Sequence, residues 1–138
     1  MDIYKQDAVT AINPKHYRSH PSGVECIDVI RHFPVSQGMI IKYLWRAGDK
    51  GPLLEDLQKA LWYVEDCLKH NCGIPYDEGI WFNKTYDNMI ALWWEAEPAG
   101  YRKEAIGATL LDYIGTTKDI VCEWIESINA PILNEAKE

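Results

Sequence analysis

The stretch Ile40–Asp66, IIKYLWRAGDKGPLLEDLQKALWYVED, decides the fold. It reads as two helices joined by a short loop between Gly48 and Gly51. Ile40, Ile41, Leu44 and Trp45 recur at helical spacing and form one apolar arc. Ser36 is the expected N-cap of this first helix, and Gly48 its stop after Ala47. Pro52 suits the first turn of the second helix, which should run to about His70. There Leu53, Leu54, Leu57, Ala60, Leu61, Val64, Cys67 and Leu68 share a continuous arc.

The polar residues of this pair fall into clusters. Lys42 and Arg46 stand i, i+4 on the side away from the apolar arc, with Tyr43 beside them. Like charges at that spacing repel mildly, although a helix C-terminus favours cations. Lys50 adds a third cation in the loop. Three cations so close suit phosphate oxygens, because arginine grips two at once and lysine acts as a point charge. On the second helix Glu55, Asp56, Lys59, Trp62, Tyr63 and Asp66 lie opposite the apolar arc. Glu55 and Asp56 complement the helix dipole, and Glu55–Lys59 is a stabilising pair, so these three have a bland explanation. Trp62 and Tyr63 on the polar arc suit a stacked base, a second layer of protein or a subunit interface, and Tyr43 could also stack a base.

Outward from this pair, Ser22-Gly-Val-Glu25 has the pattern of a capping box and should open a helix that stops at Phe33, before Pro34. Cys26, Ile27, Val29, Ile30 and Phe33 form its apolar side. Glu25, Asp28 and His32 form the other, either as a solvated face or as carboxylates holding a cation. Residues 1–21 read as irregular, with turns at Asn13-Pro14 and His20-Pro21 around the pair His16-Tyr17. Beyond Asn71-Cys-Gly-Ile-Pro75, the best break in the chain, three further helices are expected over about 85–97, 101–114 and 116–128. No segment shows sustained β alternation. The fold class is therefore all-α, a compact bundle of about five to six helices with an irregular N-terminal segment. One domain over residues 1–138 is expected, with a core at 13–70 and an acidic, Trp-rich helical extension at 75–138 packing on it.

Composition narrows the function. The net charge of -7 lies wholly in the second half: residues 1–70 hold nine Lys/Arg and nine Asp/Glu, residues 71–138 five and twelve. An acidic chain without a basic tract does not read DNA sequence, but its neutral half can still hold a small anion. No apolar run reaches the roughly 18 residues a membrane span needs. The N-terminus has no signal-peptide pattern, and the four cysteines lack metal-type spacing, so a cytoplasmic protein with reduced thiols is expected. There is no GxxxxGK[ST], no GxGxxG after a strand, no HExxH and no GxSxG. Any nucleotide chemistry must use side chains on helices.

NPKHY, GVECIDVI, IKYLWRAGDKG and LEDLQKALWYVED, in that order over about residues 13–69, resemble the SaV-like phage family. That family includes an early phage nucleotide kinase that has no P-loop. The resemblance implies a phage protein acting in the host cytoplasm. It implies phosphoryl transfer from ATP or another nucleoside triphosphate to a deoxynucleoside monophosphate. The matching positions are His16, Tyr17, Glu25, Asp28, Lys42, Tyr43, Arg46, Lys50, Glu55, Asp56, Lys59 and Tyr63.

The leading expectation is thus a nucleotide kinase, with His16, Arg46 and Asp56 as catalytic groups. Tyr17, Lys42, Tyr43, Arg46, Lys50, Lys59 and Tyr63 are the candidate nucleotide-binding residues. Glu25, Asp28 and Glu55 are candidate ligands for Mg²⁺. A homo-oligomer is expected, because two helices offer only part of a site. The rivals are a MazG-like all-α nucleoside triphosphate pyrophosphatase, a nucleotide-sequestering protein without activity, and a purely structural helical oligomer. The first is suggested by Glu25-x-x-Asp28, although the ExxD element of those enzymes is missing here.

Overall fold

The apolar arcs of the central pair close on each other as an antiparallel hairpin. In a computed structural model of the chain, residues 14–71 and 84–137 are described, the side chains of 131–137 excepted. Among these residues there are seven helices and no strand. They are α1 Lys15–Arg18, α2 Cys26–Ile30, α3 Val35–Arg46, α4 Leu53–His70, α5 Lys84–Ala96, α6 Tyr101–Leu110 and α7 Ile114–Lys137. The protein is an all-α bundle, with one short helix, α1, in the stretch that reads as irregular. No helix among the described residues is long and apolar enough to cross a membrane.

α3 and α4 form the centre. Ile40, Ile41 and Leu44 of α3 meet Leu57, Ala60 and Val64 of α4, all fully buried. Polar ties hold both ends of the hairpin. Ser36 Oγ–H at the start of α3 donates to Asp66 Oδ2 near the end of α4, at 3.0 Å. At the other end Arg46 meets Asp56. The loop turns tightly because Gly48 takes φ +84, a left-handed value that side-chain-bearing residues rarely adopt. The second half packs onto this hairpin: α7 lies on α4, α6 on α3, and α6 and α7 on each other. Trp93, Ala105, Ile106, Ile114 and Val121 join the same core.

Several boundaries differ from the sequence reading: α2 ends at Ile30 and not at Phe33, and α7 runs on to Lys137 past the expected end at 128. α2 begins at Cys26, and its capping box is Glu25 with Asp28, not Ser22 with Glu25. The cause is a turn over His20–Gly23, with Pro21 at its second position and Gly23 N–H donating to His20 O at 2.9 Å. Ser36 does not cap α3; Pro34 stands at its N-cap, and the Ser36 hydroxyl is engaged by Asp66. The break between α6 and α7 falls at Leu111–Tyr113, and Gly115 lies inside α7. Tyr113 N–H donates to Ala108 O and Asp112 N–H to Thr109 O, the paired bonds of a Schellman ending. Asp112 occupies the left-handed position usually given to glycine, at φ 63. Gln37 Nε2–H from buried α3 donates to its Oδ1 at 2.8 Å and helps hold it there. The expected break at 71–75 begins as read, with Asn71 left-handed at the end of α4; residues 72–83 lie outside the described ones.

Leu57 has no exposed surface and sits where α4 faces α3. Leu57→Ala should lower unfolding stability by about 2–5 kcal/mol, read from the urea midpoint, because the hairpin leaves little room to collapse around the gap.

Candidate functional site

Helical register builds the site. Lys42, Tyr43 and Arg46 lie within one turn of α3, and Asp56, Lys59 and Tyr63 follow each other at i, i+3 and i+7 on α4. Antiparallel packing brings the two rows together, and α1 adds His16 and Tyr17 beside the end of α3.

The fixed point is a buried ion pair. Asp56 is 3% exposed. Its Oδ1 accepts from Arg46 Nε–H at 3.0 Å and forms an ion pair with Nη2 at 2.9 Å. Arg46 Nη1–H donates to Tyr17 Oη at 3.3 Å. Burial opposes the guanidinium charge, but the bonds to Tyr17 and Asp56 outweigh it and raise the Arg46 pKa further. Burial likewise raises the Tyr17 phenol, although Arg46 beside it acts the other way.

Around this pair the cations gather on one ring. Arg46 Cζ lies 5.0 Å from the Tyr43 centroid, Lys59 Nζ 5.7 Å and Lys42 Nζ 6.0 Å. Lys42 Nζ is also 5.7 Å from the Tyr17 ring. Tyr63 stacks on Tyr43 at 5.9 Å with planes 19° apart. Each distance is within reach of a cation–π attraction, which offsets part of the mutual repulsion. Glu55 pairs with Lys59 at 3.1 Å and Asp56 with Arg46, while Lys42 and Lys50 have no ion pair among the described residues. The patch therefore keeps a positive excess on an acidic protein.

His16 stands at the loop side of the cluster, its ring 4.1 Å from that of Tyr17. Burial lowers its pKa, and Lys50 and Arg46 lower it further against Asp49 and Asp56. Its Nε2 is buried without a hydrogen-bond partner among the described residues, as is Asp56 Oδ2. Two polar atoms in this region thus have bonding capacity to spare.

The predicted nucleotide-binding residues Tyr17, Lys42, Tyr43, Arg46, Lys59 and Tyr63 converge, with His16 and Lys50 at the edge. The predicted metal ligands do not. Glu25 and Asp28 cap α2, with Asp28 Oδ2 accepting from Glu25 N–H at 3.1 Å and its Oδ1 bound by Arg31 at 3.3 Å. Glu55 belongs to Lys59. No group of three His, Cys, Asp or Glu among the described residues is placed to hold a metal ion. Asp56, expected on the polar arc, is inside; Trp62 of the same arc is 62% exposed.

A second polar constellation was not legible in the sequence. His20 Nε2–H donates to Glu97 Oε2 at 2.6 Å, with the two side chains 8% and 6% exposed. Ser22 N–H donates to His20 Nδ1 at 3.2 Å, which fixes the proton on Nε2. The Ser22 hydroxyl, 2.7 Å from Nδ1, also accepts from Val24 N–H and so belongs to the turn. Arg102 of α6 caps the C-terminus of α3 by donating to Leu44 O and Ala47 O. Only Glu97-Pro98 and His20-Pro21, two helix-breaking dipeptides, mark these places in the sequence.

Residues 12–65 match a family model described as a protein of unknown function, DUF3310. No curated protein and no solved structure matches the chain. The matched span holds the whole tyrosine–cation cluster and none of Trp93, Glu97 or Arg102.

Arg46→Met strands a buried carboxylate and should cost about 3–5 kcal/mol in denaturant unfolding, whereas Arg46→Met with Asp56→Leu should recover most of it. His16 binds its proton less readily in the fold than in the unfolded chain, whose value is 6.5. The unfolded state therefore takes up more protons below that pH, and stability should fall as pH drops through and below 6.5. Unfolding midpoints measured across this range should flatten in His16→Gln.

Proposed function

We propose that the protein binds a nucleotide through its phosphates at the Tyr43 cluster. The observation that carries this reading is the placement of Lys42, Arg46 and Lys59 within 5.0–6.0 Å of one tyrosine ring, with Lys50 close by and only part of the charge neutralised. Arg46 is pre-positioned by Asp56 and Tyr17, so little ordering is left for binding to drive. Lys42 and Lys50, with no ion pair among the described residues, bring charge to phosphate oxygens.

The catalytic form of this reading is a kinase without a P-loop, and it rests on the resemblance of residues 13–69 to the SaV-like phage family. A nucleoside triphosphate would give its terminal phosphoryl group to a phosphate oxygen of a deoxynucleoside monophosphate, leaving two diphosphates. Such transfer depends mostly on positioning and charge neutralisation, which these cations supply. His16, biased toward its neutral form, is suited to orient or accept a proton from the acceptor phosphate. Glu25, Asp28 and Glu55 do not fit a protein-built Mg²⁺ cage, since each is engaged elsewhere, and no step is assigned to them. That engagement also weighs against the pyrophosphatase reading, which needs clustered acids. Binding without turnover is the second reading, favoured by the same observation.

Titration calorimetry with each deoxynucleoside mono- and triphosphate, followed by chromatography after incubation with ATP and Mg²⁺, tests both. Saturable binding is expected, weakened by about tenfold in Lys42→Ala and in Lys59→Ala, as the loss of a charged hydrogen bond predicts. New diphosphate supports the kinase; binding with no new product supports sequestration; no binding of any nucleotide refutes the reading.

A further inference from the structure

A cavity of about 570 Å³ opens beside the phosphate cluster, between the α1 segment, the end of α3 and the start of α6. Two tryptophans and two histidines form one part of its lining, and Lys15, Asp49 and Arg102 another. Trp45 and Trp93 stand 6.2 Å apart at 26°, and His20 lies 5.3 Å from Trp45. Among the described residues, His20 and Arg102 in its lining are hydrogen-bonded, but two buried polar atoms there are not. Trp93 is 1% exposed, and its Nε1–H is buried with no partner among the described residues. His16 Nε2, in the same wall, has none either. Glu97 gives Oε2 to His20 and makes no hydrogen bond through Oε1 among the described residues.

Buried donors and acceptors are nearly always satisfied in folded proteins, so uncommitted ones around a single cavity point to a partner. Aromatic side chains beside convergent polar groups, in a space of this size, suit a heteroaromatic ligand with polar edges. An indole N–H needs an acceptor, and a carboxylate oxygen needs a donor. A nucleobase edge carries both side by side. The cavity also adjoins the proposed phosphate site. His16 lines it, and Lys50 and Arg46 lie close enough to influence the His16 ring.

We infer that this cavity receives the base of the bound nucleotide, with Glu97 accepting from a base N–H and Trp93 Nε1–H donating to a ring nitrogen or carbonyl. The inference rests on the nucleotide-binding reading above and deepens it. The phosphates then extend past His16 toward Lys50 and Arg46, and the tyrosine cluster serves phosphate and sugar. His20 is a positioning residue: the turn fixes its proton on Nε2, and that proton orients the Glu97 carboxylate. Base choice is set by α5 and the segment after it, outside the span that matches the family model.

The test compares inorganic tripolyphosphate with the four deoxynucleoside triphosphates by titration calorimetry, on the wild type, Glu97→Gln and Trp93→Phe. Trp93→Phe keeps most of the ring and removes the donor; circular dichroism checks both folds. The expected result is nucleotide binding about tenfold weaker in each variant, tripolyphosphate binding unchanged, and an altered order of base preference in Glu97→Gln, which replaces a charged, acceptor-only carboxylate with a neutral amide that also donates. The Trp93 indole N–H resonance, identified by its loss in Trp93→Phe, should also shift on adding a deoxynucleotide and not on adding tripolyphosphate. Nucleotide and tripolyphosphate binding weakened equally would mean a structural role and overturn the inference. Unchanged nucleotide binding in both variants would place the base elsewhere, leaving the phosphate site standing. If the wild type binds neither ligand, the nucleotide reading falls and the inference with it.

Discussion

The ion pair between Arg46 and Asp56 is the constraint on which the site depends. It joins the last residue of α3 to the first turn of α4, and Asp56 is almost wholly buried there. A buried pair is weak evidence for stability, because desolvation offsets much of the attraction. Its consequence here is positional. It ties the loop end of the hairpin, as Ser36 and Asp66 tie the other end, and so fixes how α3 and α4 register. That register stacks Tyr63 on Tyr43 and brings Lys59 to the same ring as Lys42. The guanidinium keeps a third group for Tyr17, which ties the α1 segment over the hairpin.

The two halves of the chain contribute different things. The first supplies the cations and tyrosines. The second carries the net negative charge, yet it supports the site from behind: Arg102 closes the C-terminus of α3 one residue beyond Arg46, and Glu97 orders His20 in the segment next to His16. An acidic body with a basic patch directs small anions to that patch and disfavours long polyanions. This arrangement agrees with a nucleotide-sized ligand better than with nucleic acid.

Much of the hairpin was legible because periodicity is strong there. Leu57, Ala60, Val64 and Cys67 are buried as their spacing implies, and Lys42, Arg46, Lys59 and Tyr63 meet because an antiparallel pair must face them together. What was hidden depended on tertiary context. Asp56 sits on the polar arc by angle but inside by packing, because Arg46 crosses over it. Ser22 looked like a cap, yet the Pro21–Gly23 turn moved the helix start and Glu25 took that role. Asp112 breaks a helix because Gln37, distant in sequence, binds it. His20 and Glu97 are separated by most of the fold, and no spacing rule connects them. Local pattern finds faces; only packing finds partners across them.

The central claim is that phosphate is held at Tyr43. Ring-selective NMR of the tyrosines, titrated with a deoxynucleoside triphosphate and then with tripolyphosphate alone, tests it most directly. Tyr17, Tyr43 and Tyr63 should shift together and saturably with both ligands, while Tyr101 and Tyr113 on the second half stay fixed. Saturable binding that leaves the three clustered rings unmoved would contradict the account.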